Sequence, residues 1–195
     1  MRALFRAIVA TAALLAAPLY ANATPVTFDL AGGPKSYVDV ANFNPGIICI
    51  FCGIDTELNP SLGSLTRSLD VGQSWTFDFF EISFFGIGGG TGTISAALGF
   101  DAPSGAPTVG GLGNGGFATF LGFITGGSLT WTSPVNYYTL SDGTSYSVAF
   151  SNLSGVTTST ATVRATISRN VPEPATLALF GLALLAIGLV RRRRV

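Results

Sequence analysis

The stretch TATVRATIS, residues 160–168, decides the fold class. In an extended chain Ala161, Val163, Ala165 and Ile167 fall on one face, and Thr160, Thr162, Arg164, Thr166 and Ser168 on the other. A strict period of two marks a strand with one buried and one wet face, which antiparallel sheets provide. Residues 145–151 repeat the pattern: Tyr146, Val148 and Phe150 oppose Ser145, Ser147, Ala149 and Ser151. Asp142-Gly143, just upstream, is a hairpin signal. A two-residue loop would put Leu140 on the face of Ser145 and Ser147. A three-residue loop of Ser141, Asp142 and Gly143, with Gly143 left-handed, sets Leu140 opposite Thr144 and gathers Tyr138, Leu140, Tyr146 and Val148 on one face. A slip of one residue reverses every side chain, so the three-residue loop is predicted.

Further strands are expected at Val26–Leu30 and at residues 37–43, 64–69, 74–85, 92–100, 117–125 and 128–132. The segment WTFDFFEISFF, residues 75–85, is apolar on both faces and belongs in the middle of a sheet. Residues 86–92, GIGGGTG, read as a loop between two strands. They lack the aspartates of a calcium-binding repeat. No capped amphipathic helix of ten residues stands between the two ends of the chain. Eight to ten antiparallel strands in this length predict an all-β, antiparallel, jelly-roll-like β-sandwich.

Residues 24–170 make one domain by length, large enough to bury a core without metal. The domain holds four basic residues, Lys35, Arg67, Arg164 and Arg169, against nine acidic ones, a net charge of −5. An acidic surface without a basic patch excludes nucleic acid as a partner. The chain has no histidine for a general base or a catalytic triad. Asp78 and Glu81 stand three positions apart, which in a regular strand puts them on opposite faces. One of them is expected to turn inward and pair with Arg67 or Arg164. Cys49 and Cys52 form a C-x-x-C, but no convincing helix follows, and zinc would want four ligands where the chain has no histidine and no third cysteine. In an exported protein the pair is expected to be a structural disulfide. Gly111, Gly113 and Gly116 match a dinucleotide fingerprint letter for letter but lack its strand–turn–helix setting, so they read as a glycine loop. No catalytic residue, metal or cofactor is expected.

The two ends read as addresses. Arg2 and Arg6 precede an apolar run at residues 7–19, and Ala21 and Ala23 supply the small residues of a cleavage site. This is a secretory signal peptide at residues 1–23, cut by signal peptidase after Ala23. At the other end Val171, Pro172, Glu173 and Pro174 precede an apolar run, residues 175–190, and then Arg191, Arg192, Arg193 and Arg194. As a helix that run is about 24 Å long, short of the roughly 30 Å hydrocarbon core. Snorkelling arginines make up part of the gap. The positive-inside rule puts the arginine cluster in the cytoplasm and the domain outside.

Motif, apolar helix and arginine cluster in this order resemble the PEP-CTERM sorting signal of Gram-negative bacteria. The resemblance covers residues 171–195 only. It implies recognition by exosortase, a membrane enzyme similar to a cysteine transpeptidase, which cuts near the motif. It also implies bacteria that make exopolysaccharide and biofilm. The expected route is export, transient anchoring in the inner membrane, and then the cell surface or extracellular matrix. Three functions compete for the domain. The first is a structural surface or matrix protein. The second is a carbohydrate-binding module using exposed aromatics such as Trp131, Tyr137 and Tyr138, an analogy of fold alone. The third and weakest is a polysaccharide-active enzyme.

Overall fold

The computed structural model describes residues 24–120 and 123–170. The signal peptide with Ala21 and Ala23, and the C-terminal segment with its expected helix, lie outside the described residues. Ten strands follow one another: β1 (Val26–Leu30), β2 (Tyr37–Leu58), β3 (Thr66–Leu69), β4 (Ser74–Leu98), β5 (Phe100–Ala102), β6 (Val109–Phe120), β7 (Phe123–Trp131), β8 (Val135–Thr139), β9 (Ser145–Phe150) and β10 (Thr160–Arg169). A 3₁₀ turn, Leu62–Ser64, precedes β3. The fold is all-β and antiparallel, with a three-stranded sheet in the order β3-β1-β5 and a seven-stranded sheet.

Strand β4 organises the larger sheet. One of its edges carries β2 from Phe80 to Ala97. Its other edge carries β10 along its first half, from Ser74 to Ser83, and β6 along its second half, from Gly89 to Leu98. Beyond β10 come β9 and β8; beyond β6 comes β7. The two halves approach each other again where Leu129 of β7 exchanges both backbone hydrogen bonds with Leu153, at 2.9 Å each. The sheet is thus curled into part of a barrel, and the residues expected in a central strand do lie in one.

Residues 86–92 are not the expected loop but the middle of β4. Gly86 and Gly88 adopt φ of 89° and 118°, a region that side chains resist. The strand can turn there without ending. Thr119 of β6 holds the turn, its hydroxyl accepting from the Gly88 N–H at 2.7 Å. Gly111, Gly113 and Gly116 likewise lie inside β6, not in a loop. A Cβ on Gly113 would stand 2.8 Å from Leu129 and 3.1 Å from the Trp131 ring, and one on Gly111 3.1 Å from that ring and 3.2 Å from Phe150. Gly111 and Gly113 make room for large side chains packed on the inner face. Other boundaries shift, and the expected strand at 128–132 is the second half of β7. The expected strand at 117–125 is the end of β6 and the start of β7, and that at 37–43 runs on to Leu58.

The 160–168 alternation appears as expected: Val163, Ala165 and Ile167 are wholly buried, and Thr160, Thr162 and Arg164 are exposed. The hairpin has the predicted register. Gly143 sits at φ 83°, the Leu140 N–H donates to the Thr144 carbonyl at 2.8 Å, and Tyr138 faces Tyr146. The core joins the two sheets: Phe28 of β1 packs edge-on against Tyr146, with ring centres 5.3 Å apart, and Tyr138 stacks on Tyr146 at 5.5 Å.

Tyr146 is fully buried, and its hydroxyl has no hydrogen-bond partner among the described residues. Burial and the neighbouring Tyr138 phenol push its pKa up to about 12. A buried unbonded hydroxyl costs about 1–3 kcal/mol. Tyr146→Phe is therefore expected to raise the melting temperature. The folded state holds this proton more tightly than the unfolded one. That contribution is complete below pH 10 and disappears as the pH rises towards 12. Melts above pH 10 should fall more steeply for the natural chain than for Tyr146→Phe. Equal slopes and an unchanged melting temperature would refute the assignment.

Candidate functional site

Strand β10 ends immediately before the sorting segment. Strand β10 runs to Arg169, and Asn170 is tied back to the sheet, its N–H donating to the Ser145 carbonyl at 3.0 Å. The strand ends there. Val171, Pro172, Glu173, Pro174 and Arg191, Arg192, Arg193 and Arg194 follow outside the described residues. Since β10 lies antiparallel to the first half of β4, Asn170 sits at the Ser74 end of that strand. The bend at Gly86 lies about 40 Å away along β4, at roughly 3.3 Å per residue.

The bend carries an apolar tip. Cys49 and Cys52 are joined by a disulfide in the middle of β2, opposite the bend. Around it Ile47, Ile48, Ile50, Phe51, Phe85 and Ile87 are all exposed. Phe51 takes φ 52°, a left-handed conformation uncommon outside glycine, within the bridged segment. Nothing in the local pattern distinguished these residues from core residues, because the sequence of β2 does not show that, among the described residues, β4 is its one neighbouring strand.

The carboxylates fall differently from the sequence expectation. The β4–β10 register shifts between Asp78↔Arg164 and Phe80↔Val163, leaving Phe79 as an extra, bulged residue. The bulge reverses the phase, so Phe79 and Phe80 both point inward while Asp78 and Glu81 both point outward. Neither faces the core. Asp78 does pair with Arg164, at 3.0 Å, but the pair is on the surface, each side chain more than half exposed. Such a pair contributes at most about 1 kcal/mol. Glu57 of β2 lies opposite Glu81, and a shallow hollow of about 310 Å³ includes Glu57, Asp78 and Glu81. Among the described residues no group of histidine, cysteine or carboxylate side chains is arranged to hold a metal ion.

The three aromatics separate. Trp131 is only 3 % exposed; its indole N–H donates to the Ser151 carbonyl at 3.0 Å, and its ring packs on Phe150 with centres 5.1 Å apart. It is a core residue and cannot stack on a sugar. Tyr138 is half-buried on Tyr146, which leaves Tyr137, 75 % exposed, alone on the edge strand β8.

A fourth surface went unrecognised in the sequence because its rows run across strands. On the outer face of β2, β4, β6 and β7 the register aligns Asn42, Thr93, Asn114 and Thr130 in one row. Asn44, Thr91, Gly116 and Ser128 form the next. A cleft of about 430 Å³ lies over these rows, with no charged residue in its lining.

Among the described residues no helix is long and apolar enough to cross a membrane. No curated protein and no solved structure matches the chain. A family model does match its last segment, and that motif implies exosortase as the processing partner and delivery to the cell surface as a secreted protein. Its match starts at the residue where the sheet ends: the chain carries a PEP-CTERM protein-sorting motif at residues 170–194.

Proposed function

We propose that this chain is a structural protein of the cell surface or extracellular matrix, associated with exopolysaccharide. A signal peptide removed by signal peptidase exports it. The apolar segment at residues 175–190 then holds it briefly in the inner membrane, with the arginine cluster in the cytoplasm, until exosortase cuts near Pro172, Glu173 and Pro174. The observation that carries this reading is the sorting motif at residues 170–194, which begins where β10 ends. The exposed apolar tip supports a role in contact and assembly, since large exposed apolar patches mark interaction surfaces. The absence of histidine from the chain weighs against an enzyme. The jelly-roll-like sandwich is our reading of the finer architecture, supported by two antiparallel sheets sharing one apolar core.

Intact mass spectrometry of the exported protein from cells carrying exosortase should show two losses: residues 1–23, and the segment beyond the Pro172–Pro174 region. Recovery of a full-length C-terminus from those cells would rule the sorting reading out. A second reading, a carbohydrate-binding module, is favoured by the uncharged cleft on the outer face of β2, β4, β6 and β7.

A further inference from the structure

We propose that this uncharged cleft binds a neutral polyhydroxylated chain, a glycan without carboxylate or sulfate groups, with Asn42, Asn44, Thr93 and Asn114 as its hydrogen-bonding residues. The proposal deepens the carbohydrate-binding reading and rests on display outside the cell, which the mass measurement tests separately.

The chemistry of the lining selects the ligand. An anion would call for arginine or lysine, and a cation for carboxylates; the cleft has neither. An apolar ligand would call for an apolar wall, and the side chains here are amides and hydroxyls. Amide and hydroxyl groups each donate and accept, as sugar hydroxyls do. The 430 Å³ lies within the roughly 300–1,000 Å³ of small-ligand sites.

The spacing fits an extended chain. Strands lie about 4.8 Å apart, so a chain laid across them meets a polar side chain at each step, a distance close to one pyranose unit. The row from Asn42 to Thr130 crosses four strands and spans about 14 Å. Asn44 faces the same way in the neighbouring row, and Thr93 donates to Asn114 Oδ1 at 3.2 Å.

A merely solvated face would look different. Asparagine is depleted in strand interiors, and threonine would serve an ordinary wet face better. Here Asn42, Asn44 and Asn114 all stand within strands, a local rule broken where function is expected. The adjoining outer face of β4 and β10 shows the ordinary solution, with Asp78, Glu81 and Arg164.

The test uses the full chain purified in a zwitterionic detergent, since alkyl-glucoside detergents would themselves compete. Saturation-transfer NMR is recorded with cellohexaose and maltohexaose as neutral probes and with oligogalacturonate as the anionic one. We expect transfer to at least one neutral hexaose, insensitive to salt, and none to oligogalacturonate. The Asn44→Ala/Asn114→Ala double variant should raise the Kd about tenfold or more, because a site built to hydrogen-bond hydroxyls discriminates through those bonds. Tyr137→Ala should leave binding unchanged. Should the double variant fail to fold by circular dichroism, Thr93→Val, which removes one hydroxyl at constant shape, reads the same contact and should weaken binding. Absence of transfer to both neutral probes, preference for oligogalacturonate, or full binding by the folded variants would each overturn the proposal.

Discussion

Val163→Asp is expected to unfold the domain, while Thr162→Lys, one residue away, leaves it intact. Val163 is wholly buried on β10, paired across the ladder with Phe80. An aspartate there would carry a carboxylate into a core of Phe80, Ile82, Val148 and Ile167. A buried, unpaired carboxyl costs about 2–7 kcal/mol even once a proton has neutralised it, because its polar atoms find no hydrogen-bond partner there. That is comparable with the whole stability of a typical domain, about 5–15 kcal/mol. Thr162 points outward and lies opposite Glu81, which itself faces Glu57. A lysine there meets two carboxylates in water, so its effect should stay within roughly 0.5 kcal/mol. Circular dichroism and thermal melts of the two purified variants separate the outcomes. Similar melts for both would mean that β10 does not present these faces.

Trp131→Ala should cost nearly as much, and for a reason unrelated to ligand binding. The ring fills the space above Gly111 and Gly113 and meets Phe150 and, edge-on, Phe80. Removing a buried tryptophan costs about 3–5 kcal/mol through lost contacts and the cavity left behind. The Ser151 carbonyl also loses its indole donor. The backbone N–H of the same residue, which donates to Asn152 Oδ1 at 3.0 Å, is untouched by the change. Urea unfolding should show a lower midpoint at a similar slope. A midpoint equal to that of the natural chain would place Trp131 on the surface, contrary to the structure. Glycan binding lost in Trp131→Ala would therefore report unfolding, whereas loss in folded Asn44→Ala/Asn114→Ala would report contact.

The sequence by itself determined what is local along the chain. Alternation at residues 160–168 and 145–151 specified two strands and the residues of their core faces, because an extended backbone turns each side chain by half a revolution whatever surrounds it; the expected wet face of the second was not realised, since Ser147 is buried too. The turn at Ser141, Asp142 and Gly143 settled its own register, because a left-handed residue is cheap only for glycine. The sorting segment was legible for a simpler reason: it is read as a linear peptide, so its information lies in order and spacing. Tertiary structure alone decided the rest. Whether glycines 86–92 and 111–116 turn the chain or make room within it depends on Cys52, Leu129 and Trp131, which lie far from them in sequence. The outward turn of both Asp78 and Glu81 depends on one bulged residue facing β10, some 80 residues downstream. The burial of Trp131 and the alignment of Asn42, Thr93 and Asn114 follow from which strands become neighbours. A single strand carries no record of its neighbours; hydrogen bonding between strands is sequence-blind, and the choice is made by side-chain packing across the whole sheet.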